Sequence, residues 1–109
     1  MDFDLSTEQK DFRDSVRGFA KRELAPGALE RAHTSDYPWD VAKKMAENGL
    51  LGITVDEKDG GGGGSLMDAV LAIEQIAAEC PRSADVVQAG NFGALRVLAN
   101  FATPEQKER

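Results

Sequence analysis

The chain has 109 residues, enough for one domain, and its 41% hydrophobic content favours a folded core over disorder. Its formal net charge of −6 disfavours nucleic acid as a partner, because phosphate binding requires a basic face. The single cysteine, Cys80, allows no internal disulfide and suits a reducing, cytoplasmic location, and one Cys with one His argues against a metal site. The amino terminus is acidic and polar, unlike a signal or transit peptide, and no apolar run approaches a membrane span in length.

The first predicted helix begins at Ser6, which forms a capping-box pattern with Gln9. Pro26 and Gly27 break or bend the helix, and a short helical turn is expected after them. Glu23 falls on the apolar side and is expected to pair internally, without a catalytic role. Apolar residues recur along one face of the helix, as in an amphipathic helix: Phe12, Val16, Phe19, Ala20 and Leu24.

The second predicted helix runs from about Pro38 to Asn48 and ends at Gly49, which suits a left-handed C-cap. Residues 50–55, "LLGITV", form an apolar run that is too short for a helix. This run is expected to be extended chain passing through the core. The predicted buried side of the second helix consists of Trp39, Val41, Ala42 and Met45.

Five consecutive glycines, Gly60 to Gly64, allow three interpretations. A phosphate cradle is disfavoured, because no Gly-Lys-Ser/Thr motif is present and no βαβ unit precedes the run. The run also looks like a flexible engineered linker. A natural flexible turn that leads into a helix capped at Ser65 is favoured, because helical signals continue on both sides.

The third predicted helix starts at Ser65, whose cap pairs with Asp68, and ends at Cys80. Cys80 is interpreted as a packing residue at the helix end, since the only histidine is distant in sequence. Glu74 and Glu79 are expected to be solvated. The apolar stripe of this helix comprises Leu66, Ala69, Val70, Ile73, Ile76 and Ala77.

The fourth predicted helix runs from about Ser83 to Phe101 and has two apolar faces. Val87, Asn91, Leu95, Leu98 and Ala102 form an ordinary core stripe. The other face is nearly without side-chain bulk, and its two glycines each cost a helix about 1 kcal/mol relative to alanine. Either a neighbouring helix packs closely there, which periodicity alone favours, or the face is one wall of a slot for an extended aliphatic ligand. The small face consists of Val86, Ala89, Gly90, Gly93 and Val97.

Thr103 and Pro104 predict the start of a fifth helix, and Gln106 completes a capping box close to the end of the chain. Strand signals are nearly absent throughout. The sequence therefore predicts an all-α helical bundle of four to five helices.

Four segments together resemble the N-terminal helical domain of the acyl-CoA dehydrogenase family, and the resemblance covers essentially the whole chain. In order and spacing, these segments are "LSTEQKDFRDSVRGFAKRELAP", "YPWDVAKKMAENGLLGITV", "GGGGGSLMDAVLAIEQIAAEC" and "NFGALRVLANFATPEQKER". Each piece is a weak motif, whereas the combination is specific. The chain departs from the family before the glycine run, where Asp56 and Asp59 stand in place of a frequent proline and aromatic residue.

The resemblance implies that residues 1–109 are one incomplete unit of an oxidoreductase of fatty acid metabolism, lacking the middle β domain and the C-terminal helical domain. The family reaction is the α,β-dehydrogenation of an acyl-CoA thioester. FAD binds between the two absent domains, and the catalytic glutamate belongs to the C-terminal one. Implied partners are the acyl-CoA substrate, an electron-transferring flavoprotein and further copies of the chain in a dimer or tetramer.

The resemblance also implies site residues, because the corresponding family helix lines one side of the acyl-chain cavity. Carried over by position, Val86, Ala89, Gly90 and Gly93 would bind substrate, and no residue is assigned a catalytic, cofactor or metal role. The domain would be inactive alone. Alternatives are a free-standing helical interaction module, or the same domain of an acyl-CoA oxidase or a flavin-dependent monooxygenase.

Overall fold

The computed structural model describes residues 2–109, and within that range the chain is helical and contains no strand. The all-α architecture expected from the sequence is confirmed. A π-helical turn at Ala20–Leu24 continues α1, and a 3₁₀ turn spans Glu57–Asp59. The α-helices are α1 (Thr7–Phe19), α2 (Ala28–Ala32), α3 (Trp39–Glu47), α4 (Leu66–Glu79), α5 (Pro81–Ala89), α6 (Ala94–Phe101) and α7 (Pro104–Glu108).

Three helices begin where capping boxes were predicted. In each box the cap hydroxyl accepts the backbone N–H three residues on, and that residue's side chain accepts the cap N–H. Such a cap contributes about 1 kcal/mol to helix stability. The boxes therefore fix the starts of α1, α4 and α7 by local chemistry: Ser6 with Gln9, Ser65 with Asp68, and Thr103 with Gln106.

The hydrophobic core lies where α4 packs between α1 and α5, with α3 closing one side against α5. Leu50 and Ile53, from the segment before the glycine run, are buried in this core. The largest fully buried apolar side chains are Leu24, Met45, Ile76, Val41 and Val87.

Several burial predictions are wrong. Trp39 is 75% exposed, because it occupies the first position of α3 and its ring packs on Tyr37, with centroids 4.5 Å apart, instead of entering the core. Leu66 and Val70 on α4 are also exposed. Residues 50–55 are buried in part, as expected, but they form turns and not extended chain, since Gly52 has a φ of 73°.

The predicted continuous helix from Ser83 to Phe101 is also wrong. Helix α5 already begins at Pro81, whose missing N–H suits a first helical position, and it ends at Ala89 with Gly90 as its C-cap. A turn then leads to Gly93, whose φ of 62° precedes α6. Gly90 and Gly93 therefore do not lie inside a helix, because they flank the turn between α5 and α6. The expected cost of glycine in a helix interior does not arise.

Candidate functional site

The turn between α5 and α6 is held by the fully buried side chain of Asn91. Its Nδ2 donates to the carbonyl oxygens of Leu50, at 3.0 Å, and Val87, at 2.8 Å. Thr54 completes the network, because its N–H donates to Asn91 Oδ1 at 3.3 Å and its hydroxyl donates to the Asn91 carbonyl at 2.6 Å. These bonds fix the end of α5 to residues 50–55.

Gly90 belongs to this junction. Its carbonyl accepts the Gly52 N–H at 2.7 Å, and a Cβ at Gly90 would lie 2.8 Å from Leu51 Cδ2. A side chain at Gly90 would therefore meet protein and not an open slot. By contrast, nothing lies within 4 Å of the position that a Cβ at Gly93 would take.

The four predicted substrate residues consequently do not share one helix face. Val86 and Ala89 lie on α5, Gly90 packs on Leu51, and Gly93 lies beyond the turn. The interpretation of all four as one small-residue stripe is wrong, because it assumed helical spacing across the break. Their part in substrate binding stays a prediction.

Val86 and Ala89 do meet at one surface groove of about 180 Å³, which we call the α5 groove. The other residues of the groove were not predicted from the sequence. Arg82 stands four residues before Val86, and Asp85 stands four residues before Ala89, so each pair shares one side of the helix. The α5 groove is lined by Tyr37, Pro38, Arg82, Asp85, Val86 and Ala89.

Arg82 is the cation of the α5 groove and is half-buried. Its Nη2 donates to the backbone carbonyl of Asp36 at 2.7 Å, which ties the amino end of α5 to the chain before α3. Within residues 2–109, no carboxylate oxygen lies within 4.0 Å of its guanidinium.

A larger opening of about 500 Å³ lies between the amino ends of α1 and α4 and contains none of the predicted site residues. Its polar side chains include Ser6, Gln9, Ser65 and Asp68. These four already bond within the two capping boxes. Their hydrogen-bonding groups serve the helix starts, so the opening is not favoured as a site.

Cys80 is buried at the junction of α4 and α5, as expected of a packing residue. Burial raises the pKa of its thiol. Hydrogen bonds from the side chain and backbone of Ser83 and from Arg31, together with the charge of Arg31, outweigh this effect and hold the pKa below its ordinary value. Arg31 also donates to the carbonyls of Leu24 and Pro26, so its guanidinium joins three chain segments.

Glu23, Glu74 and Glu79 lie outside the α5 groove. Glu23 pairs with Lys44 at 3.1 Å on the surface, where both side chains are partly exposed. Glu74 is exposed and Glu79 is half-buried. Over residues 2–109, no group of three or more His, Cys, Asp or Glu side chains is placed to hold a metal ion.

The glycine run is an ordered turn that leads into α4. The N–H groups of four consecutive glycines donate to carbonyls of residues 52–56, at distances between 2.7 and 3.0 Å. Amides engaged in this way cannot also cradle a pyrophosphate, so the run does not fit a flavin or nucleotide site. The bonds are Gly61 to Asp56, Gly62 to Gly52, Gly63 to Val55 and Gly64 to Ile53.

The sequence profile described as "Acyl-CoA dehydrogenase, N-terminal domain" matches residues 6–109. The fold, the capping boxes and this match together define the class: the chain belongs to the acyl-CoA dehydrogenase family, as its N-terminal domain. A solved structure described as an electron transferring flavoprotein of Acidaminococcus fermentans, from work on flavin-based electron bifurcation, is similar to 99% of the chain. It has a TM-score of 0.86 and 32% identity, and the chain covers 28% of it.

Curated relatives carry several activities. The "Probable acyl-CoA dehydrogenase YngJ" of Bacillus subtilis is 38% identical over 99% of the chain, which covers 28% of that protein. The short-chain specific acyl-CoA dehydrogenase of Clostridium acetobutylicum is 32% identical over 100% of the chain and 29% of its own length. A 3-sulfinopropanoyl-CoA desulfinase of Variovorax paradoxus is 33% identical over 95% of the chain and 26% of its length.

The chain thus spans between a quarter and a third of each of these relatives. Among its described residues, no helix combines the length and the apolar character needed to cross a membrane.

Proposed function

We propose that this chain is the N-terminal domain of an FAD-dependent acyl-CoA dehydrogenase and that its α5 groove forms one wall of the acyl-chain pocket. The observation that carries the proposal is the meeting of Val86 and Ala89, two residues assigned to the acyl chain, in a groove flanked by Tyr37 and Pro38. At about 180 Å³ the α5 groove is smaller than the 300–1,000 Å³ of a typical ligand pocket. This size suits one wall of a pocket that other parts of the protein complete.

Helix α6 supports the view that other parts of a larger protein pack here. Val97, Leu98 and Phe101 are exposed, Phe101 by 82%, and α6 has no buried residue. Burying such side chains is worth about 1.5–3 kcal/mol each. An interaction module would also use such a surface, but the family match over residues 6–109 favours a domain of a larger enzyme over a free-standing module.

The substrate we propose is a short acyl-CoA. Relatives named for short-chain acyl-CoA and for 3-sulfinopropanoyl-CoA both support a short acyl group. The proposed reaction is α,β-dehydrogenation, for which FAD bound outside this chain would supply the hydride acceptor, and this chain contributes binding surface and no proton-transfer group. Domains of an acyl-CoA oxidase or a flavin monooxygenase remain alternatives of the same fold.

The remaining parts of the proposal concern the whole protein. FAD would bind outside this chain, whose glycine amides are engaged with carbonyls. We also propose that electrons leave to an electron-transferring flavoprotein, that the protein is a homodimer or homotetramer, and that it is cytoplasmic, in keeping with its single unpaired cysteine.

Replacing Ala89 by leucine in the full-length flavoprotein tests the proposal. Ala89 is exposed, lines the α5 groove and already tolerates a Cβ, so leucine fills the space without distorting the backbone. We expect kcat/KM to fall about tenfold or more for the longest acyl-CoA accepted and to change least for the shortest, since the loss of a few methylene contacts costs about 1–3 kcal/mol. Steady-state kinetics over a series of acyl-CoA chain lengths measures this.

Gln88→Leu is the matched control, because Gln88 is exposed on the same helix but does not line the α5 groove. It should leave the chain-length profile unchanged. The pocket-wall proposal fails if a folded, flavin-loaded Ala89→Leu enzyme keeps the wild-type profile. Gly90 is a poor test position, because a side chain there collides with Leu51. A loss of activity could then come from misfolding as well as from weaker substrate binding.

A further inference from the structure

We propose that Arg82 selects acyl-CoA substrates whose acyl group ends in an anion, such as a carboxylate or a sulfinate. This inference rests on the proposed function, because it assigns to the α5 groove a particular class of acyl group. Arg82 would act as a specificity residue that contacts the far end of the substrate, and no bond is made or broken at its side chain.

The position of Arg82 along α5 is the first argument. It lies four residues before Val86, about one helical turn, and both line the same groove. A chain that runs along α5 past Ala89 and Val86 meets the guanidinium next. A charged group beside the middle of an aliphatic chain would be desolvated without a partner, whereas at the end of the chain it can meet an anion.

The electrostatics of this end of α5 favour an anion. Arg82 lies in the first turn of the helix, where the helix dipole is positive, and that turn contains no acidic residue. The bond from Nη2 to the Asp36 carbonyl holds the guanidinium in place. Over residues 2–109, its other N–H groups make no hydrogen bond to protein. A guanidinium so held matches the two oxygens of a carboxylate in a bidentate pair.

Asp85 is the opposing charge in the α5 groove. It is exposed, and it forms no ion pair with Arg82 within 4.0 Å. Its carboxylate repels an anionic substrate terminus and so lowers the selectivity that Arg82 provides. Removing that charge while keeping the shape of the side chain, as in Asp85→Asn, should therefore tighten binding of an anionic acyl-CoA.

The experiment compares two ligands of equal chain length, 3-carboxypropanoyl-CoA and butanoyl-CoA, which differ only in the terminal carboxylate or methyl group. Binding to the full-length flavoprotein is measured by isothermal titration calorimetry for wild type, Arg82→Met and Asp85→Asn. We expect Arg82→Met to weaken 3-carboxypropanoyl-CoA about tenfold or more, as expected for a lost charge-assisted hydrogen bond, and butanoyl-CoA less than about threefold. Asp85→Asn should tighten only the anionic ligand.

Arg96→Met is the matched control, because Arg96 is an exposed arginine on α6 outside the α5 groove. It should change neither affinity. The inference is overturned if a folded Arg82→Met protein binds both ligands more weakly by the same factor, or binds both as the wild type does. In that case, binding of acyl-CoA by the wild type means that the proposed function still stands. If wild type binds neither acyl-CoA, the proposed function fails and the inference falls with it. Should Arg82→Met not fold, Asp85→Asn decides alone, and equal effects on both ligands overturn the inference.

Discussion

Replacing Asn91 by alanine is expected to lower the free energy of unfolding by about 3 kcal/mol, because a fully buried polar hub is lost. The carbonyls of Leu50 and Val87 would lose their donor, and the Thr54 N–H would lose its acceptor. Each buried group left without a partner costs about 1–3 kcal/mol, and partial relaxation reduces the sum. Urea denaturation followed by circular dichroism measures the change.

Asn100→Ala is the control for this prediction, because Asn100 is exposed on α6 and the same chemical group is removed. It should change the free energy of unfolding by less than about 0.5 kcal/mol. Equal, small effects of the two substitutions would show that the Asn91 hydrogen bonds do not hold the turn between α5 and α6.

Replacing Gly61 by alanine is expected to cost about 3 kcal/mol or more. A Cβ at Gly61 would overlap the carbonyl oxygen of Val55 and press on the Val55 Cβ. The backbone would have to separate there, and the bonds that Gly61 and Gly63 donate to Asp56 and Val55 would weaken with it. Forced backbone shifts in packed regions typically cost 1–3 kcal/mol, to which the weakened hydrogen bonds add.

Gly62→Ala is the matched control within the same run. Gly62 does not have a positive φ, and its nearest neighbour to an added Cβ, the Ile53 Cα, lies at 3.4 Å, an ordinary contact. Alanine should be nearly neutral there, since it also reduces the entropy of the unfolded chain. Thermal unfolding of both variants measures the difference. A packed turn predicts a large effect for Gly61→Ala alone, whereas a flexible linker predicts the same small effect for both substitutions.

The helix starts were predictable from sequence because their causes are local. Each capping box lies within four consecutive residues. The starts of α1, α4 and α7 can therefore be predicted from Ser6, Ser65 and Thr103 without knowledge of the rest of the fold. The break after Ala89 was not predictable in this way. It depends on Asn91 bonding to Leu50 and Thr54, about 40 residues earlier, and hydrophobic periodicity does not report such contacts.

The candidate site was predicted in part for the same reason. Val86 and Ala89 belong to one helix, so their spacing placed them together. The contribution of Tyr37 depends on how the chain before α3 folds against α5, which is a tertiary contact. Arg82 shares the side of Val86 by simple helical spacing, but a charged residue does not belong to the pattern of small apolar residues from which the site was predicted.

The turn between α5 and α6 separates the two helices, so that a change in one need not alter the position of the other. Because the carbonyl and side chain of Asn91 anchor the joint to residues 50–55, a bulkier or smaller residue on α5 need not displace α6. Under the proposed function, single substitutions on α5 would then change the acyl-chain preference, while the exposed apolar face of α6 would stay available for packing against the rest of the larger protein. A domain built in this way would let related proteins differ in substrate range without a change in how the domain packs within the larger protein.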